Sequence, residues 1–489
     1  SSHHNRSDIM TLFLNRKSRV IFIFFILGIF LSLGFDPYNI PLISIISIGI
    51  FFLLNDYLYL NHRGNILLFF LSGLSFGFAF FLSSMYWVTN SVFIYPELFY
   101  FIPIPLIGLP LILSIFYGVM QLCNFLFWSQ NISRIIYFSI FWTLFEIIRG
   151  SFFSGLPWNV IAYSWTWSIS IMQSLSIFGI YGLCFFTCIT SACFFSAYNN
   201  KKYFLPILIS GSILMAILIY GHSRVINYED KFNDSEEIRL ISSNFNQNIK
   251  WSDVSINKIL SLGSKDKISI FPETSIGFTK DIPLNWIVGT VRKEDKKYYN
   301  SMQYSNNFYD KEKLVPFTEF LPFENIFRSI DIFKLIPKNF FSIGENKSLF
   351  NNNFLLSICY EGIFPLQTLS KITDDTLAIV NISNDAWFGN YAGPLQHLTH
   401  VRYRTIETGL PMIRSTNKGY SVLINPIGQI TESIPRNELN FIEFEIPNRL
   451  DETIYSKFKD WPIIIFIAFL LIILYIFRDK NLQESSKNE

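Results

Sequence analysis

The sequence predicts a polytopic α-helical membrane protein with a layered α/β domain inserted before its last span. Three observations lead there. Half of the residues are hydrophobic and only 16% are charged, with a mean hydropathy of +0.33. Eight long apolar runs punctuate the chain, several approaching or exceeding the roughly 20 residues that cross a bilayer. Between the seventh and eighth runs, from about residue 228 to 448, charge, Asn and Pro rise and short apolar runs alternate with turn residues. That alternation is the pattern of buried strands and helices stacked in layers.

The apolar runs fall at residues 20–35, 41–54, 66–88, 101–128, 135–148, 168–197, 204–221 and 462–477. Residues 10–227 are accordingly assigned to a seven-helix membrane domain, 449–480 to the eighth span and its approach, and 481–489 to a cytoplasmic tail. Residues 1–9 precede Met10, include His3 and His4, and are read as a non-native or disordered leader outside the fold. Basic residues sit before the first span (Arg16, Lys17, Arg19), in alternate connections (Arg63, Arg134, Lys201, Lys202) and after the last span (Arg478, Lys480). All lie on one side of an eight-span chain, and excess positive charge marks the cytoplasmic side. The polar domain then faces outward, which in a bacterial inner membrane means the periplasm.

Glu146 and Arg149, at the outer end of the fifth run, admit two readings: a functional ionisable pair, or a snorkelling Arg paired one turn away. The loop Gly155-Leu156-Pro157-Trp158-Asn159 reads as interfacial, with Trp158 as its anchor.

A net charge of +2 leaves no dominant basic field, which excludes a nucleic-acid binder, and no Cys/His pattern has zinc spacing. Cys123, Cys184, Cys188 and Cys193 lie in apolar stretches where disulfides are not expected. Cys359 is the one cysteine outside them.

Within the polar domain, strand-like runs occupy residues 238–241, 268–271, 286–291, 354–358, 377–380 and 420–424, with helix-compatible segments at 255–262 and 396–408. Three polar features stand at strand ends, where open α/β folds place their sites. Glu273 follows the second run, Lys311 and Lys313 precede Leu314-Val315-Pro316, and Cys359 follows the run 354–358. Together they suit acyl chemistry: a thiol attacks a carbonyl, a carboxylate takes its proton, and an ammonium steadies the oxyanion. Singly, each has a bland reading: a packed core cysteine, a helix-start glutamate, a solvated surface lysine.

Four phrases in order change that balance: Phe271-Pro272-Glu273-Thr274-Ser275, the run 309–319 from Tyr309-Asp310-Lys311 to Phe317-Thr318-Glu319, Ile358-Cys359-Tyr360-Glu361, and Asn381-Ile382-Ser383-Asn384-Asp385-Ala386-Trp387-Phe388-Gly389. Together they resemble the nitrilase-like domain of bacterial apolipoprotein N-acyltransferases. The resemblance covers nearly the whole chain, because that family has eight spans with the catalytic domain inserted before the last. It implies an α-β-β-α sandwich with Glu273 as general base, Lys311 rather than Lys313 as the oxyanion-stabilising amine, and Cys359 as nucleophile. Glu319 and Glu361 are implied as carboxylates that hold the lysine charged and oriented, and Tyr360 and Asn300 as neighbours of the nucleophile. Trp251, Trp387, Phe388 and Gly389 match the family's substrate loops, and Arg414-Ser415-Thr416-Asn417 its scaffold. Three departures stand out: Thr318 where glycine is usual, Lys418 in place of a commoner asparagine, and a shorter stretch between Glu273 and Asn300.

The implied reaction moves an acyl chain from a phospholipid to the α-amino group of a diacylglyceryl-cysteine at the start of an apolipoprotein, through a Cys359 thioester. The lipid bilayer holds both substrates, and no metal or organic cofactor is required. The nearest alternative is a membrane-tethered amidase hydrolysing carbon–nitrogen bonds with the same residues. A transporter or channel is disfavoured by spans with few charges and no evident internal repeat.

Overall fold

The computed structural model describes residues 17–94, 96–199, 204–232, 236–320, 324, 341–346 and 353–485. The expected leader 1–9, the Lys201-Lys202 pair and the end of the tail from residue 486 lie outside them. Contacts divide the chain into two compact units, residues 1–224 with 457–489, and residues 225–456.

The first unit is helical: α1 (Lys17–Ser32), α2 (Ile43–Asn61), α3 (Ile66–Met85), α4 (Leu109–Phe127), α5 (Ser133–Ser151), α6 (Leu175–Asn199), α7 (Phe204–Ile226) and, after the second unit, a helix over Trp461–Ser485. Among the described residues, five helical stretches are long and apolar enough to cross a membrane: Ile43–Asn61, Ile66–Phe93, Phe99–Phe127, Leu175–Ala197 and Phe204–Ile226. The helix α1 has only 16 described residues, and α5 carries Arg134, Glu146 and Arg149 in its 19. Small residues let helices close up where van der Waals packing is the main attraction. A Cβ on Gly28 of α1 would meet Phe76 O of α3 at 2.2 Å, and one on Gly73 of α3 would meet Tyr117 O of α4 at 2.3 Å.

Two buried ion pairs among the described residues of this unit are tied into wider hydrogen-bond networks. Asp56 accepts from Arg134 at 2.8 Å and from Trp128 Nε1 at 3.0 Å. Glu146 pairs with Arg149 and accepts from Tyr117 Oη at 2.6 Å, while Arg149 also donates to the carbonyls of Leu156 and Trp158 at 2.8 and 2.7 Å. This is the second of the two readings for that pair, with one change: the Arg is buried and ties down the following loop instead of snorkelling. Trp158 is also corrected. It is 2% exposed and packs on Trp87 at 5.2 Å between ring centroids, so its indole is a core group and not an interfacial anchor.

Among its described residues the second unit holds eleven strands: β1 (Glu237–Ser242), β2 (Ile268–Ile270), β3 (Trp286–Glu294), β4 (Lys297–Tyr304), β5 (Asn307–Asp310), β6 (Phe354–Ile358), β7 (Ala378–Asn384), β8 (Met412–Asn417), β9 (Ser421–Ile424), β10 (Ile430–Ile434) and β11 (Asn440–Glu445). They form a six-stranded sheet, β11-β1-β2-β3-β4-β5, and a five-stranded sheet, β10-β9-β8-β7-β6. Within them β1-β2-β3 and β6-β7-β8 are parallel.

Period-two alternation assigns the faces. Ile238, Leu240 and Ile270 of one sheet meet Leu356, Ile358, Val380, Ile382 and Ile413 of the other in a central core. The intervening residues point outward and are covered in turn. The helix α8 (Asp253–Leu260) sets Ile256 and Ile259 on Ile241, Phe271 and Val288, and α9 (Ala392–Thr408) sets Leu398 and Val401 on Leu355, Ile379 and Met412. Strands apolar on both faces therefore read as continuous hydrophobic runs, because both faces are covered.

Candidate active site

Strand ends gather the chemistry. Cys359 follows β6 directly and opens a tight 3-10 turn, Cys359–Ile363, with φ 50°. A left-handed backbone at a non-glycine residue is held only where its surroundings fix it. The sulfur sits in a 6%-exposed site. Burial pushes its thiol up, Glu273 pushes it further, and Lys311 opposes both. The sulfur therefore rests as a thiol.

Glu273 stands three residues past β2, and both carboxylate oxygens are engaged. Oε1 accepts from Asn300 Nδ2 at 2.7 Å and Oε2 from the backbone N–H of Asn384, the last residue of β7, at 2.7 Å. Burial raises its pKa above the ordinary glutamate value, against the pull of Lys311.

Lys311 follows β5 and is 1% exposed. Its Nζ lies 2.9 Å from Glu319 Oε1 and 3.9 Å from Glu273 Oε1. Burial alone would lower its pKa, but the charges of Glu319 and Glu273 hold it above its ordinary value, so the amine is a fixed cation. Asn300 completes the group: its Nδ2 bridges Glu273 and Glu319, at 2.7 and 3.1 Å, and its backbone carbonyl accepts from Lys311 N–H at 2.8 Å. One cation between two carboxylates, held by one amide, gives each group a defined direction.

Glu361 takes a different place from the one expected. It does not join the ammonium: Oε1 accepts from the backbone N–H groups of Glu312 and Lys313 at 2.7 and 3.3 Å, and Oε2 from Ile358 N–H at 2.7 Å and Tyr309 Oη at 2.9 Å. Two residues after Cys359 in a tight turn, its side chain points back along β6. It clamps the chain just after Lys311 to the chain just before Cys359. Tyr360 is buried with its ring 4.9 Å from Phe364, edge to face.

These features have counterparts among known proteins. Residues 27–193 match the model of the apolipoprotein N-acyltransferase N-terminal domain, and residues 286–455 that of carbon-nitrogen hydrolases. The apolipoprotein N-acyltransferase of Rickettsia prowazekii is 34% identical over 450 residues, covering 83% of this chain and 88% of that protein. The Rickettsia bellii protein of the same name is 34% identical over 456 residues, covering 84% and 90%. The chain belongs to the apolipoprotein N-acyltransferase family. A more distant member, from Rhodopseudomonas palustris, is 27% identical over 514 residues, 92% of this chain and 93% of its own. Membership makes the chain a membrane protein and an acyltransferase enzyme with a nitrilase-like domain.

The residues matched to the family's substrate loops stand near this centre in different ways. Trp251 is half exposed, and its Nε1 donates to Thr274 O at 2.8 Å. Trp387, Phe388 and Gly389 lie in and just after the turn Asp385–Phe388, all partly exposed, and Phe388 packs edge to face on His397 at 5.2 Å. Lys418, a departure from the family's commoner asparagine, sits at φ 58°, a conformation asparagine tolerates better than other side chains.

Sequence reasoning missed two groups. One is Lys250, 4% exposed beside Glu273. The other is a buried cluster behind Cys359. There Asp385 pairs with Arg414 at 3.0 Å and with His397 Nδ1 at 3.0 Å, while His397 Nε2 lies 3.3 Å from Cys359 O. The Cys359, Asp385 and His397 donor atoms come within 4.8 Å of one another, but the guanidinium already occupies the carboxylate. Burial would raise Asp385, yet Arg414 and His397 hold it well below the usual carboxylate range. Arg414→Met leaves that carboxylate buried beside a weak partner and is expected to cost about 3–5 kcal/mol. Thermal melting of the full chain should fall by roughly 10 °C, and adding Asp385→Asn should recover most of the loss.

Proposed function

We propose that this chain transfers an acyl chain from a membrane phospholipid to the α-amino group of the diacylglyceryl-cysteine that begins an apolipoprotein. The observation that carries the reading is the buried cluster of one thiol, one general-base carboxylate and one fixed cation, in a chain of this family.

In the first step Cys359 attacks the ester carbonyl of the donor and passes its proton to Glu273, while Lys311 faces the developing oxyanion. Collapse breaks the ester bond, Glu273 returns the proton to the departing lysophospholipid oxygen, and a thioester remains. In the second step the acceptor amine attacks the thioester and gives its proton to Glu273. The amide forms, and the sulfur recovers the proton. Glu319 and Asn300 keep the cation and the base in register, and Glu361 and Tyr360 support the nucleophile's turn. The burial of Cys359, Glu273 and Lys311 would help keep water from competing for the thioester.

Trp251, Trp387, Phe388 and Gly389 are the groups proposed to meet the acyl chain. In this reading residues 228–448 form the catalytic domain. Eight spans, including α1, α5 and the helix Trp461–Ser485, hold the chain in a bacterial inner membrane with that domain on the periplasmic side. Nucleic acid plays no part.

Intact-mass spectrometry of the wild-type protein tests the reading. Phospholipid alone should add the mass of one acyl chain, and a diacylated lipopeptide should discharge it onto the peptide amine. Hydrolysis of small amides with no adduct from any phospholipid would overturn the reading in favour of a tethered amidase.

A further inference from the structure

Lys250 takes no part in the scheme above, although it is a buried cation beside the proposed base. It lies just before α8, and its Nζ donates to Glu273 O at 2.8 Å and to Thr274 Oγ1 at 2.6 Å. The side-chain amide of Asn384, turned with its oxygen towards the ammonium, lies 3.3 Å away. Three donors thus meet three acceptors, the full capacity of an ammonium. Its neighbour Trp251 donates to Thr274 O at 2.8 Å, so residues 250 and 251 grip residues 273 and 274 from one side.

What they grip is strained. Thr274 is β-branched and has φ 46°, a conformation such residues adopt only when their surroundings impose it. The grip also spans the two sheets. Glu273 lies past the end of β2, Asn384 ends β7, and the backbone N–H of that same Asn384 holds Glu273 Oε2 at 2.7 Å. Lys250 therefore touches both anchors between which the carboxylate is set. Its charge acts on the same groups: Glu273 and Cys359 face it, and Lys311 and Glu319 face Glu273 from the other side.

We propose that Lys250 is a positioning residue for acyl transfer, fastening the strained Glu273-Thr274 turn to the end of β7 and supplying a second positive charge beside the base. The inference rests on Glu273 being that base. Burial lowers the Lys250 ammonium to about 8 against the pull of Glu273 and Cys359, a cost consistent with a charge kept for a purpose.

The test is the pH profile of acyl-enzyme formation from phospholipid alone, followed by intact mass on the full chain. A wild-type adduct that Cys359→Ala lacks secures the underlying reading, and its absence sinks that reading whatever Lys250 does. Against that control, Lys250→Met should acylate about 10–100-fold more slowly. Its acid limb should move to higher pH by about half a pH unit, because the carboxylate has lost a stabilising cation. Lys250→Arg should keep the limb near its wild-type position. A Lys250→Met rate within threefold of wild type, or a slow rate with an unmoved acid limb, overturns the proposal. If Lys250→Met does not fold, Thr274→Val decides: it removes one acceptor and keeps the branched shape. A fall of at least threefold supports the grip, and an unchanged rate rejects it.

Discussion

Cys359→Ala should lower acyl transfer by at least about 10³-fold and abolish the phospholipid-derived mass adduct, while the protein still folds. The substitution exchanges a thiol for a methyl in a buried site, and alanine meets the φ of 50° about as cysteine does. Activity and melting temperature should therefore separate sharply. Cys359→Ser sharpens the test. Burial and Glu273 already raise the thiol, and a hydroxyl is intrinsically harder still to deprotonate, so the same base should leave serine nearly inactive. A resting thiol also predicts slow alkylation by iodoacetamide at neutral pH relative to a free cysteine. A Cys359→Ala protein that keeps a tenth of wild-type transfer would end the thioester scheme.

The parts of this site legible in the sequence were those marked by local contrast. Glu273, Lys311 and Cys359 each stand beside a short apolar run, and a polar residue at the end of a buried strand is conspicuous. Their convergence was not legible. Asn384 N–H meets Glu273 across 111 residues of chain, and no spacing reports that.

Burial misled in both directions. Lys250 carries no local signal beyond preceding a tryptophan, since a lysine reads as solvated until its acceptors are seen. Trp158 resembled an interfacial anchor because an indole suits a lipid boundary and a packed core equally well. Glu361 illustrates a third failure. The family resemblance placed it beside the lysine, but within the turn its side chain points back along β6 to donors of the scaffold.

In the fold, the strands β1, β2, β3, β6, β7 and β9 were visible as apolar runs. The strand β4 (Lys297–Tyr304) was not, being a mostly polar sequence whose place comes from pairing with β3. The four residues of β5 and the exposed edge strands β10 and β11 escaped similarly, because edge strands lack a second covered face. In the helical unit the apolar runs located the helices, whereas Arg134 of α5 found its partner Asp56 only in three dimensions.

Lys311→Met should do more damage than the loss of one hydrogen-bond donor, because in the proposed scheme it removes two functions at once. The first is the charge facing the oxyanion, for which a single donor is worth about 10²–10³ in rate. The second is the electrostatic support of the base. Without the ammonium, Glu273 and Glu319 share Asn300 Nδ2 with no cation between them, and Glu273 loses the charge that opposes its burial and the repulsion of Glu319.

The sign follows from the protonation each step needs. In the proposed scheme Glu273 must be deprotonated to accept the thiol proton, and burial already raises its pKa above 4.5, so acylation should fail as pH falls through that raised value. Removing Lys311 raises it further, and the acid limb moves up towards neutrality. The expected result is a loss of at least about 10³-fold at pH 7 that is partly recovered at higher pH. Lys311→Arg should recover little, since a planar guanidinium does not fit where a compact ammonium lies 2.9 Å from Glu319 with 1% exposure. A Lys311→Met profile that is lower at every pH by one constant factor would mean that the lysine serves the oxyanion alone and leaves the base untouched.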